Sequence, residues 1–173
     1  MILTIQQLVS GSPSGLERKV RFSAGGTLMQ GEYDIIGPGE IRRAFSGKAL
    51  DLTPYGKLVT SVSGSGWQSA GLDDLLRAKV YRTGFIKPLC QQSDGSAITP
   101  MRTARSDVAP YAFAVTASGV VKTTLTGWTP AAVAGALYYL IYFYPELDGR
   151  IRFKESLDQL NATYNWTLDF EEK

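Results

Sequence analysis

The chain has 173 residues, 44% hydrophobic and 20% charged, the proportions of a globular protein that buries a core without a metal or disulfide staple. Its 18 Lys and Arg against 16 Asp and Glu leave a charge of +2, too little for the clustered basic stripe of a nucleic-acid binder. It contains no histidine and one cysteine, which removes Ser-His-Asp and Cys-His catalysis, most zinc and iron sites and any internal disulfide.

Taken in chain order, the start from Met1 to Gln7 lacks the basic region and long apolar core of a secretion signal. Lys19 to Ala24, Glu32 to Ile36 and Lys57 to Ser63 are β-branched and aromatic in bias and predict strands, the first with charge on its faces at Arg18-Lys19-Val20-Arg21. Gly64-Ser65-Gly66-Trp67 reads as a turn. Gly71 to Arg77 allows one or two helical turns, with Asp73 and Asp74 near the start where the helix dipole favours acids. Val80 to Cys90 predicts a strand, and the polar Gln91 to Ser96 stretch is the one soft boundary within an expected single domain. Tyr111 to Ala117 and Val120 to Leu125 flank Ser118-Gly119 as a hairpin, glycine supplying positive φ at the turn.

Leu137 to Tyr144 favours a strand stopped by Pro145, and alanine-rich Pro130 to Leu137 ahead of it is open between the first part of that strand and the start of a short helix. Rings at Tyr138, Tyr139, Tyr142, Phe143 and Tyr144 load both faces of that strand, as in a central strand packed on both sides or one with a face toward another subunit. Its apolar run from Ala131 falls short of the roughly 20 residues that span a bilayer, and no membrane partner is expected. Glu155 to Leu160 allows a second short helix. Thr163 to Phe170 is the cleanest strand, with Tyr164, Trp166, Leu168 and Phe170 on one face. Together these elements predict a mainly β fold, an antiparallel β-sandwich or partly open barrel with one or two short helices.

Motifs for chemistry are missing. Gly47-Lys48 is followed by Ala49 and Gly56-Lys57 by Leu58, so neither completes a phosphate loop. Cys90 lacks a base and reads as a buried small hydrophobe. Asp73-Asp74, Glu146 with Asp148 and Glu171-Glu172 are the carboxylate pairs, and none is spaced for two acids facing one cleft. Catalytic, cofactor and metal sites are therefore all expected to be absent, and the function to be association. The candidate interface residues are Arg42, Arg43, Trp67, Trp128 and Tyr139; Trp67 and Trp128, beside turns, also suit a carbohydrate- or receptor-binding module.

One run of residues carries a family resemblance. Arg43-Ala44-Phe45-Ser46-Gly47, the stretch Gly56 to Trp67, Gly71-Leu72-Asp73 and Pro88-Leu89-Cys90 occur in an order that resembles small tail proteins of long, flexible-tailed bacteriophages. Ala109-Pro110-Tyr111-Ala112, Tyr142-Phe143-Tyr144-Pro145 and the ending Trp166 to Glu172 agree with it, while Gln68-Ser69-Ala70-Gly71 departs from it where a proline is expected. The resemblance implies a distal-tail or baseplate subunit made in the host cytoplasm and carried in the virion tail. It would form a ring with itself, a hexamer, and join the tail tube to hub or fibre proteins, with DNA only as cargo passing through the lumen. A terminator or connector at the head end is the alternative position.

Overall fold

Period-two alternation of apolar and polar residues runs through most of the chain, and among the described residues of the computed structural model the regular elements are all strands. The structure describes residues 2–21, 28–36, 41–43, 49–51, 57–67, 69–76 and 78–173. Fifteen strands follow in chain order: β1 (Ile2–Val9), β2 (Ser12–Arg21), β3 (Leu28–Ile36), β4 (Ile41–Arg43), β5 (Ala49–Asp51), β6 (Lys57–Gly66), β7 (Val80–Gly84), β8 (Leu89–Ser93), β9 (Tyr111–Thr116), β10 (Gly119–Thr123), β11 (Leu125–Thr126), β12 (Thr129–Pro130), β13 (Ala136–Phe143), β14 (Glu146–Asp158) and β15 (Thr163–Glu172). Among the described residues there is no helix, and none is long and apolar enough to cross a membrane. The expected end of the first strand at residues 22–24 and the Ala44 to Gly47 stretch lie outside the described residues.

The chain divides into two compact units, Met1–Arg82 with Asp148–Lys173, and Thr83–Leu147. A seven-stranded sheet in the order β2-β1-β7-β14-β15-β6-β3 organises the first. Its register sets Ile151 beside Phe170, Phe170 beside Thr60 and Leu168 beside Val62, so these residues share one face. That face is the core: Leu3, Ile5, Val62, Ile151, Trp166, Leu168 and Phe170 are all buried. The alternation read from Thr163 to Phe170 is thus realised, with Tyr164 half-buried near the strand's start.

Gly64 to Gly66 belongs to β6 and is strand rather than the expected turn. The reason is Trp166, which lies opposite Gly64 in the ladder. A Cβ on Gly64 would stand 2.5 Å from the indole Cζ2, so only glycine leaves the ring its place.

Both expected helices are overturned. At Gly71 to Leu76 the backbone makes one turn, closed by Leu75 N donating to Leu72 O at 3.1 Å, and Arg77 lies outside the described residues. The segment is a strap over the core face of the sheet. Glu155 of β14 accepts from Ser69 Oγ at 2.7 Å and from Ala70 N at 2.9 Å, Tyr81 Oη of β7 accepts from Leu76 N at 2.8 Å, and Arg18 of β2 pairs with Asp74. Leu72 is buried beneath it. At Glu155 to Leu160 the expected helix is instead the end of β14, paired with β15 as far as Asp158 opposite Thr163. Ten consecutive cross-strand rungs outweigh a weak local helix preference.

The second unit is organised by a four-stranded antiparallel sheet in the order β10-β9-β13-β8. Val80 to Cys90, expected as one strand, is two strands in two different sheets, because the chain bends after Phe85 ahead of Pro88. Gln91 to Ser96 lies inside this unit, where Ser93 Oγ donates to Ser96 O at 2.7 Å and shapes a turn. The hairpin of β9 and β10 has Ala117-Ser118 at its tip, and Gly119, at φ 143°, opens β10 opposite Thr116. Alanine-rich Ala131 to Gly135 is turn and loop leading into β13, not helix.

The inner face of this sheet carries Ala112, Ala114, Tyr139, Ile141 and Phe143, all buried, and Trp128 meets Phe143 edge-on at 5.7 Å. Arg105 is buried beside it with its charge met in full. The guanidinium donates to the carbonyls of Gly84 and Phe85 at 3.0 and 2.9 Å and forks onto Asp107 at 2.9 and 2.7 Å.

Candidate functional site

Strand parity decides what the second unit shows to its surroundings. With Ala112, Ala114, Tyr139, Ile141 and Phe143 inward, the intervening residues must face outward. They form rungs across the sheet. Tyr111, Tyr142 and Cys90 make the first, Lys122, Phe113, Leu140 and Gln92 the second, and Val120, Val115 and Tyr138 the third. Lys122 is the one charge among them. An outward face of a half-buried sheet is ordinarily polar, so this face departs from the rule.

Its rings are organised rather than merely adjacent. Tyr111 and Tyr142 stack nearly parallel, 5° apart at 5.2 Å, and Phe113 meets both edge-on at 5.8 and 5.9 Å. Tyr144, just past β13, adds a fourth ring 6.5 Å from Tyr111. Such pairs each contribute about 0.5–1.5 kcal/mol beyond area burial, so the rings are held as a rigid platform. The Tyr142 hydroxyl is kept protonated above the usual phenol range, chiefly by its hydrogen bond with Cys90, then by the negative charge of the Cys90 thiolate form, and then by burial. Burial, followed by the charge and hydrogen bond of Tyr144, raises Tyr111 in the same sense.

Cys90 is exposed here, not buried as expected. It sits on the outer edge strand opposite Tyr142, so the pleat turns it away from the core.

The five candidate interface residues scatter. Arg42 and Arg43 pair with Leu50 and Ala49 in the short β4–β5 ladder, their side chains outside the described residues. Trp67 follows β6 in the first unit and is 65% exposed. Trp128 is half-buried against Phe143. Tyr139 is only 6% exposed, and its hydroxyl accepts from Val133 N at 3.0 Å, so it belongs to the core. Arg42, Arg43 and Trp67 fall in the first unit and Trp128 and Tyr139 in the second, and the outward rings that do form a surface are not among the five. The signal was present: period two through Tyr138 to Phe143 puts Tyr138, Leu140 and Tyr142 together once Tyr139 is placed inward.

On the first unit, the outward face of β14, β15 and β6 holds a groove of about 590 Å³ lined by Ser63, Ser65, Lys154, Ser156, Asn165 and Thr167. A second, of about 350 Å³, lies by Arg150, Arg152, Asp169 and Glu171. Arg150 stands opposite Glu171 and Arg152 opposite Asp169, while Lys154 stands opposite Thr167, so the basic row along β14 faces acids at its first two rungs. Of the paired carboxylates, Asp74 meets Arg18, Asp148 meets Arg82 at 2.8 and 2.9 Å, and Glu172 accepts from Leu58 N at 2.8 Å. Among the described residues no three His, Cys, Asp or Glu are grouped to hold a metal ion.

No protein-family model, curated protein or solved structure matches this chain.

Proposed function

We propose that this protein is a structural subunit that works by association, and that its place is the distal tail or baseplate of a long-tailed bacteriophage. The observation that carries the first part is the outward face of the four-stranded sheet. An apolar, ring-bearing surface with the single charge of Lys122 has the composition of an interface centre, where aromatic side chains are enriched and charges depleted. The tail position rests on the sequence resemblance alone, and ring formation on the same ground. Carboxylates engaged in structural bonds favour association over turnover.

The test has two arms. Cryo-microscopy of particles from the producing host should locate the subunit in the tail, and a particle without it overturns the assignment. Leu140→Lys, at the middle of the outward face, should leave the fold intact by circular dichroism and abolish incorporation into the particle. Normal incorporation would show that this face is not the interface.

A further inference from the structure

Edge strands present a row of backbone N–H and C=O groups that only another extended chain can satisfy, and proteins usually blunt them with proline, bulges, charge or a covering segment. Among the described residues strand β10 lies at the edge of the four-stranded sheet, with β9 as its one ladder partner. Ala131 reaches only its end, accepting from Thr123 Oγ1 at 2.9 Å and donating to Thr124 O at 2.9 Å. The strand has no proline, and its register against β9 runs without a bulge from Gly119 to Thr123. Its first four residues are exposed, Val120 at 63% and Val121 at 47%, on opposite faces of the strand. The opposite edge differs: β8 follows Pro88, and Gln91 ties it to the Thr99–Met101 segment through bonds of 3.1 Å on both sides of the amide.

We infer that β10 pairs with β10 of a second copy of this chain, antiparallel and about a two-fold axis normal to the sheet. The strand's own sequence selects the register. Opposed residues must share a face, so the two-fold falls on a residue rather than between two. Centred on Lys122, it sets two ammonium groups directly opposite; centred on Val121, it leaves them diagonal neighbours about 7–8 Å apart. Centred on Val120, it puts Val120 against Val120 of the second copy, Val121 against Gly119, and Lys122 against Ser118. The two lysines are then four residues apart along the strands, about 14 Å. This register buries the most exposed valine and separates the charges. The outward rung of Val120, Val115 and Tyr138 then continues into the second copy, doubling the four-stranded sheet. A joint of five rungs is small beside the roughly 1,200–2,000 Å² of a stable interface, so the dimer is concentration-dependent.

The inference does not rest on the tail assignment, and the two fail separately, because it is tested on the purified full-length chain. Sedimentation should show a monomer–dimer equilibrium. Val120→Asp, which opposes two carboxylates at the centre, should raise the dissociation constant at least about tenfold with an unchanged circular dichroism spectrum. In a Cys90→Ser background, Val120→Cys should oxidise to a covalent dimer, while Val121→Cys, facing a glycine, should not. A monomer at every concentration, a dimer indifferent to Val120→Asp, or faster cross-linking through Val121→Cys would each overturn it.

Discussion

At the scale of single residues, the best-defined contact is a glycine meeting a tryptophan. Gly64 exists in β6 because the indole of Trp166 occupies the space a side chain would need. Both residues lie mid-strand, so the indole cannot retreat without disturbing Leu168 on the same buried face. Gly64→Ala should therefore lose about 1–3 kcal/mol to overpacking, measured by denaturant unfolding. Trp166→Phe in the same chain should recover part of that loss; additive losses would mean that the two residues do not compete for space. The outward tyrosines give a second test. Their folded-state pKa values lie above the unfolded ones, so the associated stability is complete below about pH 10 and disappears as pH rises through the folded values. Denaturation midpoints should fall between pH 9 and pH 11. Cys90→Ala, which removes the bond that does most to hold the Tyr142 proton, should narrow the difference, and an unchanged difference would refute that cause.

At the scale of elements, many strands with one buried face were legible in the sequence, though β1 and β14, which alternate in the same way, were not among those expected. Thr163 to Phe170 alternates strictly enough for its period to be read directly, while Leu137 to Tyr144 is apolar on both faces and is legible from its strand-forming residues and Pro145; β15 and β13 lie there. The two expected helices fail for a like reason. Gly71 to Leu76 and Glu155 to Leu160 carry short runs of helix-tolerant residues, yet the first is held by partners distant in the chain and the second by its hairpin with β15, where Asp158 stands opposite Thr163. Ser69 finds Glu155, and Arg18 finds Asp74, across separations that no local pattern reveals. The outward platform was missed for a related reason, since the cross-strand stacking of Tyr111 on Tyr142 exists only once β9 and β13 are side by side. The strap makes its own prediction. Glu155→Ala removes both anchors on Ser69 and Ala70, so amide exchange at Ala70 and Leu76 should accelerate while β15 stays protected. Equal acceleration in β15 would mean that the strap is part of the sheet's own cooperative unit.

At the scale of the whole molecule, the sequence suggested one domain with a soft point at Gln91 to Ser96, whereas compactness divides the chain after Arg82 and before Asp148. Nothing in composition marks those points, because the chain passes them within continuous strands, β7 and β14, which are neighbours in the seven-stranded sheet. The bidentate pair of Arg82 with Asp148 sits where the chain leaves the first unit and returns to it. Every buried side chain named for that unit's core comes from residues before Arg82 or after Asp148. Replacing Thr83–Leu147 with a Gly-Ser linker of about six residues, whose mean span is about 13 Å, should therefore leave a foldable first unit. Its sheet should unfold in one cooperative transition, with the fluorescence of Trp166 reporting burial before it and exposure after. Loss of that transition, with Trp166 emission already that of exposed indole in buffer, would show that the sheet cannot form without the inserted unit and that the chain folds as one domain after all.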